Sequence, residues 1–132
     1  MKVGLFFGSF NPIHVGHMVI ANHMLVHTDL DRIWFVVSPH NPLKEKSSLL
    51  SDHHRMALVN EAIESDSRFR VSNIEFKISQ PSYTIHTLAH LEEKYPGLQF
   101  VLVGGTDMLP SFHKWKNWET ILKNYQIGRA HV

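Results

Sequence analysis

The sequence predicts an α/β protein: a doubly wound parallel sheet with helices on both faces. Three observations predict it. Short apolar, β-branched runs alternate along the chain with stretches of helical period. The runs are apolar throughout rather than every second residue, as strands buried on both faces are. Turn residues cluster just after the runs, where sheets of this kind bind ligands.

Taken in order, "KVGLFF" (2–7) reads as the first strand. Residues 14–28 read as a helix, with Val15, Met18, Val19, Met24 and Leu25 recurring at roughly helical spacing. "RIWFVVS" (32–38) is a bulky second strand, and "PHNPLKEKSS" (39–48), with two prolines among polar residues, is a loop. Residues 51–65 form a helix capped by Ser51, with Asp52 in its first turn. "FRVSNIEF" (69–76) is a third strand. Residues 84–95 are helical until Pro96-Gly97 stops them. "QFVLVGG" (99–105) is a fourth strand, 117–124 a last helix capped by Asn117, and "YQI" (125–127) opens a further strand.

The chain has 132 residues, enough for one domain with a substantial core. A net charge of +1 leaves no electrostatic footprint for nucleic acid or a membrane surface, so neither is expected as a partner. The absence of cysteine excludes disulfides and thiolate zinc sites. The apolar runs are too short to span a bilayer. The opening segment reads as a strand and not a signal peptide, so a cytoplasmic enzyme is the expectation. Eleven histidines is a high count, and position has to decide which of them matter.

Position singles out "GSFNPIHVGH" (8–17), which joins the first strand to the first helix. Free N–H groups and the helix dipole make such a junction an anion site. Gly8 lets the backbone approach closely, Pro12 fixes the turn and Gly16 leaves room in the first helical turn. His14 and His17, three apart, share a face there and suit a polyphosphate. A bound anion raises their pKa values and the helix dipole lowers them. Neither the P-loop pattern nor the GxGxxG fingerprint occurs. His23/His27 and His86/His90 are spaced four apart, but no carboxylate or cysteine completes a metal site in sequence, so no metal ligand is assigned.

The same stretch resembles the (H/T)xGH signature of the nucleotidyltransferase α/β-phosphodiesterase superfamily. "PSYTIHTL" and "GGTDMLPSFHKW" narrow the resemblance to the nicotinate-nucleotide adenylyltransferases, over residues 1–127. The resemblance implies a Rossmann-like nucleotidyltransferase fold (adenine nucleotide alpha hydrolase-like). It also implies transfer of AMP from ATP to nicotinate mononucleotide, with release of pyrophosphate, in NAD biosynthesis. Mg2+ accompanies the ATP. The nucleophile is then a phosphate oxygen, already anionic near neutral pH, and no general base is needed. By resemblance His14 and His17 hold the ATP phosphates, with Gly8, Ser9, Phe10 and Gly105 nearby. Lys44 reaches the outer phosphates, and Arg55 assists at the substrates. Thr84 binds the pyridine carboxylate, Trp115 stacks on its ring, and Asp107 accepts from ribose hydroxyls. Asn11 departs from the family's usual aspartate. It keeps the means to cap a turn but loses the charge.

Family members continue for some sixty residues further, through a Ser/Thr-rich turn ending in arginine that grips ATP. The sequence ends at "YQIGRAHV". Residues 1–127 therefore read as a nucleotidyltransferase domain incomplete at its C-terminus, and 128–132 as an atypical tail. Two expectations follow: impaired ATP binding and turnover, and a bare sheet edge beside 99–105 that invites a homo-oligomer. The alternatives are a sister nucleotidyltransferase using nicotinamide mononucleotide, phosphopantetheine or a small alcohol phosphate, and a non-catalytic nucleotide-binding remnant. A histidine-based metal-binding protein is a third.

Overall fold

Apolar runs that cannot face water on either side pair with one another, and three of them form the middle of a five-stranded sheet whose edge strands are more polar. In the computed structural model, which describes residues 1–39, 50–78, 83–105 and 114–130, the strands are β1 (Lys2–Gly8), β2 (Arg32–Val37), β3 (Phe69–Ser72), β4 (Gln99–Gly105) and β5 (Gln126–Ala130). All neighbours are parallel, in the order β3-β2-β1-β4-β5. The strand order reverses between β1 and β4. That places a crevice outside their carboxyl ends, directly over residues 8–17.

The register makes the two faces. Leu5 lies opposite Trp34 on one side and Leu102 on the other. Because side chains alternate along a strand, Val3, Leu5, Trp34, Val36, Phe100 and Leu102 share one core. Phe6, Ile33, Phe35, Val37, Val101 and Val103 share the other. Helices cover both. α1 (Val15–His27) and α2 (Asp52–Ile63) send Ala21, Met24, Val59 and Ile63 into the second core. α3 (Thr84–Lys94) and α4 (Trp118–Asn124) send Leu88, Leu91 and Ile121 into the first. The expected doubly wound architecture is thus observed. Among the described residues no helix is long and apolar enough to cross a membrane.

Three local expectations need correction. The third strand stops at Ser72, because Asn73 turns the chain into a 3-10 turn, Ile74–Phe76. Asn117 stands before α4 but in the left-handed region (φ 55°), where its side chain makes no capping bond. The edge of β4 is not bare: β5 pairs with it from Val101↔Gln126 to Gly105↔Ala130. Residues 128–130 continue the strand that "YQI" opens.

Phe35 is fully buried in the central strand region and meets Phe6, Phe10 and Phe69 at centroid distances of 5.5–5.8 Å. Phe35→Ala is therefore expected to cost about 3–5 kcal/mol. Equilibrium denaturation measures this, and a loss near zero would mean that this core is not packed as described.

Candidate active site

The first turn of α1 is held by its own histidines. His14 occupies the cap position with extended backbone, and its Nδ1 accepts the Gly16 N–H at 3.1 Å. His17 Nδ1 accepts the His14 N–H at 3.0 Å. This is a reciprocal capping box with imidazoles in place of hydroxyl and carboxylate. The two rings stack at 3.8 Å, 25° apart. Since each Nδ1 is an acceptor, each neutral ring carries its proton on Nε2. Burial, and then the proximity of His14, lowers the pKa of His17 below its usual 6.5. The pair therefore offers two N–H donors beside a helix N-terminus, without requiring charge.

The loop before the helix supplies the rigidity. Phe10 takes a positive φ of 46° and turns its ring into the core, edge-on to Phe6 and to His17 at 5.5 and 5.0 Å. At Gly16 a Cβ would stand 2.9 Å from His14 Cε1, so the glycine is there to admit the imidazole. Asn11 Oδ1 accepts the Leu50 N–H at 2.8 Å. The amide thus ties this loop to the segment that enters α2, 39 residues away.

Arg55 differs from expectation. Its side chain is 0% exposed and so cannot reach a substrate. Nε donates to the Leu50 carbonyl at 3.2 Å. Nη1 donates to the Ser9 and Ser38 carbonyls at 2.5 and 2.8 Å, and Nη2 to the Asp52 carboxylate. The planar guanidinium ties together the segments that leave β1 and β2 and the one that enters α2. Through Ser9 it braces the 8–17 segment.

On the other side of the crevice, Thr84 opens α3 with Tyr83 at the cap position, where Tyr83 makes no side-chain capping bond. Thr84 and Trp115 line one open hollow of about 560 Å3, together with Tyr83, Lys114 and Lys116. The structure therefore brings that expected pair together. Lys116 Nζ stands 4.6 Å from the Tyr83 ring centroid. Gly8 and Gly105 end β1 and β4, the strands that flank the crevice. Lys44 and Asp107 lie outside the described residues. Among the described residues no group of three or more His, Cys, Asp or Glu is arranged to hold a metal. The His23–His27 pair, with centroids 4.5 Å apart, gains no third ligand there. Sequence reasoning passed over Ser38, Glu75 and Thr87, which join behind the crevice. Their only advance signal was a glutamate between Ile74 and Phe76.

The cytidylyltransferase-like family model matches residues 5–131. A Flavobacterium psychrophilum protein named probable nicotinate-nucleotide adenylyltransferase is 58% identical over 127 residues, 96% of this chain and 66% of that protein. The chain thus spans just under two thirds of that relative's length. A Vibrio parahaemolyticus crystal structure carrying the nicotinate-nucleotide adenylyltransferase name superposes with a TM-score of 0.81 at 24% identity, over 98% of this chain and 72% of that one. Plasmodium falciparum nicotinic acid mononucleotide adenylyltransferase, solved with NaAD, gives 0.77 at 18% identity, over 99% and 75%. At these identities the two structures speak for the fold.

Two outcomes are expected. Because the folded state holds His17 below its unfolded pKa, the unfolded chain binds more protons as pH falls through 6.5. Stability contributed by neutral His17 is therefore present above 6.5 and lost progressively below it. His17→Asn should flatten that part of a stability-against-pH curve, and an unchanged slope would contradict the assignment. Arg55→Met should cost about 3 kcal/mol, because it removes four hydrogen bonds made by a fully buried guanidinium. Chemical denaturation reads this out, and a change below about 1 kcal/mol would show that the brace is dispensable.

Proposed function

The chain belongs to the cytidylyltransferase-like family, and from that premise we propose that it is the nucleotide-binding part of an enzyme that transfers AMP from ATP to nicotinate mononucleotide, giving deamido-NAD and pyrophosphate. The observation that carries the reading is the His14–His17 pair, stacked and backbone-fixed at the N-terminus of α1 in the crevice between β1 and β4. Identity of 58% to a relative of that name supports the choice of acceptor.

The chemistry needs little from the protein beyond placement and charge stabilisation. An oxygen of the mononucleotide phosphate attacks the α-phosphorus of ATP in line, and the bond from that phosphorus to the β-phosphate oxygen breaks. No proton has to be removed from the nucleophile. Negative charge grows on the departing pyrophosphate. Pre-set donors aimed at that charge are the largest available term. In this reading the Nε2–H groups of His14 and His17, the dipole of α1 and the backbone of Gly8, Ser9, Phe10 and Gly105 supply them. Lys44 adds a point charge at the outer phosphates, and Asp107 accepts from a ribose. Mg2+ would arrive with ATP. When bound it would neutralise phosphate charge. In the hollow, Trp115 offers a face for the pyridine ring and Thr84 donors for its carboxylate. A cytoplasmic setting completes the reading.

The test is a pyrophosphate-release assay on the full-length protein, with ATP and a panel of nicotinate mononucleotide, nicotinamide mononucleotide and phosphopantetheine. Preference for the acid is expected, and preference for either other acceptor would transfer the reading to a sister enzyme. His14→Ala and His17→Ala should each lower kcat by about 100- to 1,000-fold. The double variant should fall well short of the product of the two losses, because the residues act as a unit. Since the imidazoles donate while neutral, kcat/KM for ATP should hold level between pH 7 and 8.5. A tenfold fall per pH unit above 6.5 would show that charged histidines are required.

A further inference from the structure

Glu75 is the one acidic side chain among the described residues that is buried in the core, at 4% exposed, and nothing in the transfer reaction calls for it. It sits in the 3-10 turn Ile74–Phe76, between the end of β2 and the start of α3. The Thr87 hydroxyl lies 2.7 Å from its Oε2 and 3.3 Å from the Tyr83 carbonyl. The Ser38 hydroxyl also hydrogen-bonds its carboxylate. Ser38 in turn gives its carbonyl to Arg55, which holds Ser9 in the phosphate cradle. A polar path therefore runs behind the sheet's carboxyl end, from Ser9 through Arg55, Ser38 and Glu75 to Thr87.

Thr87 is one helical turn beyond Thr84, on the element that opens into the pyridine hollow. Whatever fixes Thr87 sets the position of α3's first turn. Burying a carboxyl group is costly unless its hydrogen bonds are made. Apolar residues of similar volume often serve stability as well or better. The cost needs a return other than stability. We propose that Glu75 is a positioning residue for the transfer, holding the acceptor hollow at a fixed place relative to the phosphate cradle through Thr87 and Ser38. In-line attack makes such a residue valuable, because an error of about 1 Å between reacting atoms costs on the order of a hundredfold in rate. Burial pushes the Glu75 carboxyl above the ordinary glutamate range, against the pull of its two hydroxyl partners. This fits a group retained for its bonds and not for its charge.

The inference rests on the adenylyltransferase reading, and the experiment separates the two. In the full-length protein, Thr87→Val removes the hydroxyl at constant volume. It should lower kcat/KM for nicotinate mononucleotide by about tenfold while KM for ATP stays within about twofold. Thr87→Ser should recover most of the loss. Should Thr87→Val fail to fold, Glu75→Gln carries the test, with an acceptor-selective rise in KM of severalfold expected. Three results overturn the proposal: folded variants with normal acceptor kinetics and only a lowered Tm; equal losses for ATP and acceptor; or no recovery with serine. A wild-type protein inactive with nicotinate mononucleotide overturns both readings. An active wild type with indifferent variants overturns only this one.

Discussion

Two imidazoles close the first turn of α1 by accepting its backbone N–H groups, and much of the site follows from that constraint. A serine or aspartate cap would satisfy the same groups. It would end there, with its side-chain oxygen already engaged. An imidazole has a second nitrogen. Fixing Nδ1 on the backbone leaves Nε2–H as the donor, at a helix end that already favours anions. Gly16 is required because His14 lies against it. Phe10 is required because its ring supports His17 from the core side. The unusual backbone at Phe10 is the geometric consequence of sending that ring inward directly after β1.

Behind this turn the fold uses polar groups where a core would ordinarily be apolar. Arg55 gathers carbonyls from three segments that share no secondary structure. Glu75 gathers two hydroxyls, one from Ser38 again and one from α3. A parallel sheet fixes its strands by register, but the loops at its carboxyl end have no ladder to hold them. Directional side-chain bonds take over that role. The site thus rests on a rigid sheet below and a buried hydrogen-bonded girdle at loop level, a combination suited to catalysis by placement.

Much of this was legible in the residues. The sheet was legible because strands such as "RIWFVV" are apolar on both faces. The pairing of His14 and His17 was legible because residues three apart at a strand-to-helix junction share the first helical turn. Thr84 and Trp115 were named from motif resemblance and line one hollow. Arg55 was misjudged for a physical reason: a cation in a polar helix start looks solvent-facing until its partners, 3 to 46 residues away, fold around it. Glu75 was hidden in the same way. β5 was underread because "GRA" carries little strand propensity, whereas pairing with β4 supplies what local preference lacks.

The central proposal is that the Nε2–H groups of His14 and His17 grip the triphosphate while both Nδ1 atoms stay bonded to the backbone. The most direct measurement is imidazole nitrogen NMR on the full-length protein, titrated with a non-hydrolysable ATP analogue. The account predicts that both Nε2–H signals shift at saturation while both Nδ1 signals keep the values of unprotonated acceptors. Unmoved histidine signals at full occupancy would contradict it, as would protonation of Nδ1 on binding.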